Sequence, residues 1–291
     1  MNIGFIGFGT MGTPMAGHLL QAGHVLHVWS RRAASADFLV ERGARRSPSP
    51  QALAAASEFV CTNVTASADV EGLAAQLVEG LAPGAIHVDF STIAPSAARR
   101  IAARYVERGV EFVDAPVSGG SAGAQSATLS IMWGGKSTLA PRLEPLFSAL
   151  GKTVVRIGEV GAGQVAKACN QMIMVAAIEA CAEAARLADV AGVDFARVRT
   201  ALLGGSAASR VLEVFGGRMA TRDFAAGVEA RLHHKDYALL MDEATQAGAA
   251  LPVSAAVWQQ LNSVMGLGWG RDDTSSLLRV LETVGKRDMA R

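Results

Sequence analysis

The sequence predicts an α/β fold in which an N-terminal, doubly wound and mostly parallel sheet is joined by one long helix to an all-helical C-terminal domain. Two observations predict it. Apolar segments of strand length alternate with helical segments through the first half, which is typical of βαβ units. From Gln164 to Ala191 the chain then contains neither proline nor glycine and is rich in alanine, methionine and glutamate, as a long helix would be.

The predicted strands of the first half are residues 3–8, 25–29, 59–62, 85–89, 112–114, 129–133 and 153–157. The predicted helices between them are residues 35–42, 50–55, 68–77 and 96–108. Residues 164–191 form one predicted helix, on the order of 40 Å long at 1.5 Å per residue. Further helices are predicted at residues 194–203, 209–218, 228–247, 253–267 and 274–284. We therefore divide the chain into a dinucleotide-binding domain, residues 1–162, and a helical domain, residues 163–291.

The composition excludes several classes of protein. The formal net charge is +1 and 18% of the residues are charged, so no overall field favours nucleic acid or an anionic membrane. No apolar run approaches the roughly 18 residues that span a bilayer. The first residues lack the basic start and cleavage site of a secretory signal, so we expect a cytoplasmic protein.

The cysteines and histidines do not predict a metal site. Cys61, Cys169 and Cys181 have no metal-type spacing, and we expect them to be buried free thiols in a reducing compartment. His233 and His234 are adjacent, so on a helix their side chains diverge. We expect no bound metal.

The stretch "GFIGFGTMG" at residues 4–12 predicts a phosphate-binding turn. Its glycine pattern, G-x-G-x-x-G, stands at the end of an apolar strand and opens a helix, which is the context that a dinucleotide fingerprint requires. Gly7 would allow the tight turn, Gly9 would let the backbone approach a pyrophosphate, and Gly12 would let helix and strand pack closely. The helix N-terminus would then face the anion. A tight turn without a ligand is the alternative. The expected cofactor contacts in this turn are Gly7, Phe8, Gly9, Thr10, Met11 and Gly12.

The end of the second predicted strand favours NADP(H), with NAD(H) still possible. An NAD site usually presents Asp or Glu here for the ribose 2′-hydroxyl. This chain instead has Ser30, Arg31 and Arg32. A guanidinium can bind a 2′-phosphate with two hydrogen bonds. Solvated surface arginines are the alternative.

Two further stretches contain residues that could bind and protonate a substrate. In "DAPVSGG", Ser118, Gly119 and Gly120 could present a hydroxyl and backbone N–H groups to a carboxylate, unless this is an ordinary glycine-rich loop. In "GAGQVAKACNQ", Lys167 shares a helix face with Asn170 and Gln171, three and four residues on. A helix lysine is usually solvated, but this one lies where the predicted domains join, and ligands tend to bind at such junctions.

Together with "DFSTIAP" (residues 89–95) and "LHHKD" (residues 232–236), these stretches resemble the β-hydroxyacid dehydrogenases over essentially the whole chain. The resemblance implies that the glycine turn and Arg31 hold the cofactor, and that Val64 and Thr92 border its nicotinamide half. It implies that residues 118–120 hold the substrate carboxylate, that Lys167 is the catalytic acid/base and that Asn170, with Gln171, contacts the substrate. Lys235 would lie on the nicotinamide side.

The resemblance also implies an activity: the NADP(H)-linked interconversion of a small aldehyde acid and its 3-hydroxy acid. The form "KACNQ" is similar to the branch that reduces tartronate semialdehyde to glycerate. The alternatives are a 3-hydroxyisobutyrate dehydrogenase, another short-chain semialdehyde or glyoxylate reductase, an imine reductase, which typically lacks this lysine, and a non-catalytic dinucleotide-binding protein. We expect a homodimer or homotetramer.

This chain departs from the family pattern at three places. Ala127 stands where a glycine is usual, Thr65 replaces a proline, and Val228 replaces an aromatic residue.

Overall fold

The computed structural model describes residues 1–283. The chain forms two compact units, of which the first comprises residues 1–167 and the second begins at Ala168. Each unit has its own hydrophobic core.

The first unit is built on one sheet of nine strands in the described part of the chain, in the order β3-β2-β1-β4-β5-β6-β8-β7, with β9 paired to β8. Its strands are β1 (Asn2–Ile6), β2 (Val25–Trp29), β3 (Arg45–Arg46), β4 (Phe59–Thr62), β5 (Ile86–Asp89), β6 (Glu111–Asp114), β7 (Val117–Ser118), β8 (Leu129–Gly134) and β9 (Gly151–Gly158). The six strands β1 to β6 pair in parallel. Strand β8 runs antiparallel to β6 and β7 and parallel to β9. The predicted doubly wound, mostly parallel sheet is confirmed.

Helices connect these strands. They are α1 (Gly12–Gln21), α2 (Asp37–Val40), α3 (Pro50–Ala55), α4 (Ser67–Leu77), α5 (Pro95–Val106), α6 (Gly120–Gln125) and α7 (Ala140–Ser148), with 3-10 turns at Ala33–Ala36 and Ser137–Leu139. Because helices cover both faces of a parallel sheet, its strands are apolar on both sides. Phe5 accordingly belongs to the core on one face, and Ile6 to the core on the other.

Some predicted boundaries were wrong. Strand β1 ends at Ile6 rather than at residue 8, because Gly7 adopts a φ of +106°, which a strand does not allow. The predicted helix at residues 35–42 is a 3-10 turn followed by the four-residue α2. Strands β3 and β7 and helices α6 and α7 were not predicted.

The departure at Ala127 has a visible backbone consequence. Ala127 has a φ of +53°, in the left-handed region where glycine is favoured. It lies between α6 and β8, and an alanine here costs some strain that the usual glycine would not.

The long helix α8 (Ala162–Val190) begins in the first unit and continues into the second, as predicted for residues 164–191. The second unit adds α9 (Phe195–Leu203), α10 (Arg210–Thr221), α11 (Ala230–Ala247), α12 (Pro252–Gly266), a 3-10 turn at Thr274–Ser276 and α13 (Leu277–Thr283). Side chains of Asp194 and Ser209 cap α9 and α10. The predicted end of the last helix, residue 284, lies outside the described residues.

The cysteines and the lengths of the helices were also the subject of predictions. Cys61 and Cys181 are buried thiols as expected, but the expectation was wrong for Cys169, which is exposed. Every helix within residues 1–283 is too short or too polar to cross a lipid bilayer.

Candidate active site

The glycine turn after β1 is shaped by two close approaches. A Cβ on Gly7 would lie 2.1 Å from the carbonyl oxygen of Asn63, and a Cβ on Gly12 would lie 1.9 Å from the carbonyl oxygen of Gly7. Any larger residue at either position would therefore displace the backbone. At Gly9, by contrast, a Cβ would meet no atom within 4 Å, so the backbone borders open space. This is the arrangement that lets a ligand approach the main chain.

Helix α1 begins at this turn, directly after Met11. Its capping residue, Met11, contributes no side-chain cap, and the first turn contains no acidic residue. The positive end of the helix dipole therefore remains uncompensated by these residues and favours an anion.

A cavity of about 420 Å³ lies beside the turn. The predicted cofactor residues that line it are Gly7, Phe8, Gly9, Ser30, Arg31, Arg32 and Val64. Thr10, Met11, Gly12 and Thr92 are not among the described residues that line it. Several lining residues were not predicted from the sequence, including Asn63, Asp69, Gly72 and Gln76.

The charged part of this cavity combines residues from the loop after β2 and from α4. Arg31 and Arg32 follow β2 after Ser30, and Asp69 comes from the first turn of α4. The Nη1 atom of Arg31 lies 3.6 Å from Oδ1 of Asp69. The guanidinium group and a carboxylate thus share one end of the cavity.

The loops after β4 and β5 are tied together by hydrogen bonds. The backbone N–H of Val64 donates to Oγ of Ser91 at 2.8 Å, and this hydroxyl donates to Oδ1 of Asp89 at 2.7 Å. Thr92, the predicted nicotinamide neighbour, follows Ser91 directly. Val64 and Thr92 are therefore held in adjoining loops.

Gln164 connects the loop around Thr92 to helix α8. Its side-chain amide donates to the carbonyl oxygen of Ser91 at 2.8 Å and accepts from the N–H of Ile93 at 3.1 Å. Gln164 is buried and lies three residues before Lys167. No role for this glutamine was predicted from its motif.

Lys167 is buried, and its Nζ donates a hydrogen bond to the carbonyl oxygen of Val117 at 2.9 Å. Val117 precedes Ser118, so the lysine is brought to the predicted anion-binding loop within the first unit. Gly119, between β7 and α6, and Gly120, the first residue of α6, have φ angles of +136° and +61°, which turn the backbone sharply here. The structure therefore places two of the predicted elements, Lys167 and residues 118–120, side by side.

Asp114 fixes the start of the helix that carries Lys167. Its carboxylate accepts from the N–H of Gly161 at 2.7 Å and from the N–H of Gln164 at 2.9 Å. These are two of the donors that a helix N-terminus leaves without an internal partner. Burial raises the pKa of Asp114 to about 7, although the backbone donors act in the opposite direction.

In the second unit, Asn170 and Lys235 belong to one chain of polar contacts. Asn170 Nδ2 donates to Oε1 of Gln171 at 2.9 Å, and Gln171 Nε2 donates to Oδ2 of Asp236 at 2.5 Å. Lys235 Nζ lies 3.0 Å from Oδ1 of Asp236. The amide oxygen and the amide nitrogen of Gln171 thus both bond to protein groups. These contacts were not predicted from the sequence.

Family models match both halves of the chain. Residues 2–158 match a model described as the NAD binding domain of 6-phosphogluconate dehydrogenase. Residues 161–281 match a model described as NAD-binding of NADP-dependent 3-hydroxyisobutyrate dehydrogenase.

Full-length relatives agree with these models. The chain is 39% identical to 2-hydroxy-3-oxopropionate reductase of Escherichia coli (strain K12) over 293 residues, with 100% of both chains covered. The chain belongs to the β-hydroxyacid dehydrogenase family. It is also 35% identical to the NAD-dependent L-serine dehydrogenase of Pseudomonas aeruginosa, covering 96% of this chain and 97% of that one. A solved structure of Mycobacterium tuberculosis 3-hydroxyisobutyrate dehydrogenase with L-serine superposes with a TM-score of 0.89 at 28% identity, covering 96% of this chain and 98% of that chain.

As a β-hydroxyacid dehydrogenase, the chain is an oxidoreductase that uses a nicotinamide dinucleotide. The first unit fits such a cofactor on its own geometry. Gly9 borders open space, α1 begins directly after the glycine turn, and Arg31 supplies positive charge in the lining of the same cavity.

Proposed function

We propose that this β-hydroxyacid dehydrogenase is an NADP(H)-dependent reductase that converts tartronate semialdehyde (2-hydroxy-3-oxopropionate) to glycerate. The observation that carries the proposal is the contact of Lys167 Nζ with the carbonyl oxygen of Val117 at 2.9 Å. It holds a buried proton donor next to residues 118–120, which can bind a carboxylate.

The cofactor would be held by the first unit. The glycine turn from Gly7 to Gly12 and the start of α1 would bind the pyrophosphate, and Arg31 with Arg32 would bind the 2′-phosphate. Val64 and Thr92 would border the nicotinamide half. When bound, NADPH supplies the hydride that reduces the aldehyde carbon.

The substrate carboxylate would dock on residues 118–120. The backbone turns at Gly119 and Gly120 so that successive N–H groups and the Ser118 hydroxyl can face one anion. This docking would orient the aldehyde toward Lys167. The Nζ of Lys167 donates a hydrogen bond to Val117, the residue just before Ser118.

Lys167 would supply the proton. As hydride reaches the carbonyl carbon, negative charge develops on the carbonyl oxygen, and the Lys167 ammonium donates a proton to it. The products are the alcohol and a neutral lysine, which regains a proton from solvent. In the oxidative direction the neutral lysine accepts the hydroxyl proton instead.

The choice of tartronate semialdehyde is supported by Asn170 and by the E. coli relative. Asn170 lies on α8 three residues after Lys167, which is the spacing of neighbours on one helix face. A C2 hydroxyl can form one more hydrogen bond with the Asn170 amide, which a methyl group cannot, and such a bond contributes about 0.5–1.5 kcal/mol. The protein at 39% identity is named 2-hydroxy-3-oxopropionate reductase.

The test is a parallel assay of NADPH oxidation with tartronate semialdehyde, methylmalonate semialdehyde and a cyclic imine, together with NADP⁺ and NAD⁺ reduction by L-serine. We expect kcat/KM for tartronate semialdehyde to exceed that for methylmalonate semialdehyde by about tenfold or more. Faster turnover of the methyl compound would instead assign the chain to hydroxyisobutyrate oxidation. Faster oxidation of L-serine would align it with the Pseudomonas relative, and turnover of the imine alone would overturn the proposal.

A further inference from the structure

Asp69 lines the same cavity as Arg31 and Arg32, the two arginines that we assign to the 2′-phosphate. We propose that Asp69 is a specificity-determining residue that opposes the NADP(H) preference of Arg31 and Arg32 and so allows the same cavity to accept NAD(H). This inference rests on the proposed position of the cofactor in the first unit.

The geometry places the carboxylate where it acts on the ligand. Asp69 lines the cavity together with Arg31 and Arg32, and its Oδ1 lies 3.6 Å from Arg31 Nη1. A phosphate bound by the Arg31 guanidinium would therefore come within a few ångströms of the Asp69 carboxylate. No rearrangement of the backbone is needed to bring the two anions near each other.

The exposure of the two side chains makes their ion pair replaceable. The Arg31 side chain is 79% exposed and that of Asp69 is 32% exposed. Pairs this exposed contribute little to stability, so Arg31 can exchange its carboxylate partner for a phosphate. Asp69 then remains in place as an uncompensated negative charge.

The two cofactors experience this charge differently. The 2′-phosphate of NADPH carries up to two negative charges and is repelled by the carboxylate. NADH has a 2′-hydroxyl there, which adds no charge and can donate a hydrogen bond to a carboxylate, the interaction that an acidic residue at the end of the second strand usually provides. In this chain the carboxylate would come from α4 rather than from β2.

A purely structural role for Asp69 predicts something else. Asp69 lies in the first turn of α4, where a negative charge interacts favourably with the helix dipole. Removing that interaction would lower the stability of the fold and would weaken the binding of both nucleotides alike. It would leave the ratio of their affinities unchanged, so the ratio is the decisive measurement.

The test compares Asp69→Asn with Glu71→Gln. Glu71 lies on the same helix, pairs with Arg100 at 2.9 Å and does not line the described cavity, so its substitution makes the same change in charge outside the site. Dissociation constants for NADPH and NADH are measured by nucleotide fluorescence at 20 mM and 300 mM salt, and those for 2′,5′-ADP and AMP by calorimetry. Asp69→Ser provides a second neutral variant if the asparagine form folds poorly.

We expect Asp69→Asn to raise the ratio of NADPH to NADH affinity about threefold to tenfold at low salt, and less at high salt, where charges are screened. Glu71→Gln should leave the ratio at the wild-type value. The 2′,5′-ADP fragment should show the same gain and AMP should not. An unchanged or lower ratio in both Asp69 variants would overturn the inference.

Arg31→Ala separates this inference from the proposed cofactor site. That variant should lose about tenfold or more in NADPH affinity and keep its affinity for NADH. If it does so while the Asp69 variants leave the ratio unchanged, the proposed site stands and the role of Asp69 is wrong. If wild-type protein binds neither nucleotide, or Arg31→Ala has no effect on NADPH, the proposed site and the inference both fail.

Discussion

Glu179, in the middle of α8, is a buried carboxyl group whose ionisation should destabilise the second unit. It is 5% exposed, and neither of its carboxyl oxygens has a hydrogen-bond partner among the described residues. Its helix neighbours Val175, Ile178 and Ala182 belong to the hydrophobic core of that unit. Burial, with a smaller contribution from the charge of Glu183, raises the pKa of Glu179 from 4.5 to about 7.

The direction of the pH dependence follows from proton binding. Between pH 4.5 and about 7 the folded chain keeps a proton on Glu179 that the unfolded chain has released. Raising the pH across this window therefore favours the unfolded state, and the loss is complete above pH 7. The shift corresponds to about 3 kcal/mol in the free energy of unfolding.

Glu179→Gln keeps the shape of the side chain but cannot ionise. We expect the variant to be more stable than the wild type by about 3 kcal/mol at pH 8 and by only about 1 kcal/mol at pH 5. Because the comparison is made at each pH, the titration of other carboxyl groups cancels. Urea unfolding can be followed by tryptophan fluorescence in a Trp29→Phe, Trp133→Phe background, where the remaining tryptophans belong to the second unit.

Glu183→Gln is the matched control, since it removes a carboxylate from the exposed face of the same helix. Its gain in stability at pH 8 should be much smaller than that of Glu179→Gln. It removes only the charge of Glu183, which is the smaller of the two causes that raise the pKa of Glu179. An equal gain in stability at pH 5 and pH 8, or no gain at either pH, would contradict a raised pKa of Glu179 in the folded chain.

Two further predictions concern helix α8. Lys167→Ala should lower kcat by about 10² to 10⁴ and leave the Kd for NADPH within about twofold, because the side chain contacts Val117 rather than the described cavity. Steady-state kinetics measure kcat and fluorescence titration measures the Kd. A wild-type kcat would remove the lysine from the mechanism. Gln164→Leu should lower both kcat and the melting temperature, because it leaves the backbone groups of Ser91 and Ile93 buried without their partner at about 1–3 kcal/mol each. The exposed substitution Gln246→Leu should change neither quantity, and a Gln164→Leu enzyme with the wild-type melting temperature would contradict the assignment.

Much of the fold could be predicted because its signals are local. The buried strands β1, β2 and β4 are short apolar runs between turn residues, and α8 is an uninterrupted helical pattern. The segments that were missed lack such a pattern. Strand β7 has only two residues, and α6 is a run of glycine, alanine, serine and glutamine whose helical form depends on packing against its neighbours.

The candidate site was predictable where function needs a particular residue at a particular element boundary. The glycine turn after β1 and Arg31 after β2 belong to this class. Asp69 does not, because it enters the cavity from α4, and a partner 38 residues along the chain from Arg31 cannot be inferred from local pattern. The same holds for Gln164, whose hydrogen bonds reach back more than 70 residues to Ser91 and Ile93.

These long-range contacts explain how a long helix can present a lysine with accuracy. Asp114 holds the first N–H groups of α8, Gln164 fixes its first turn to the loop around Thr92, and Lys167 itself bonds to Val117. Gly163 completes the junction, since a Cβ there would lie 2.8 Å from Oδ2 of Asp114. All of these contacts lie within the first unit. The position of the proposed proton donor is therefore set before the helix reaches Asn170, and substitutions from that residue onward can change substrate preference without moving the lysine.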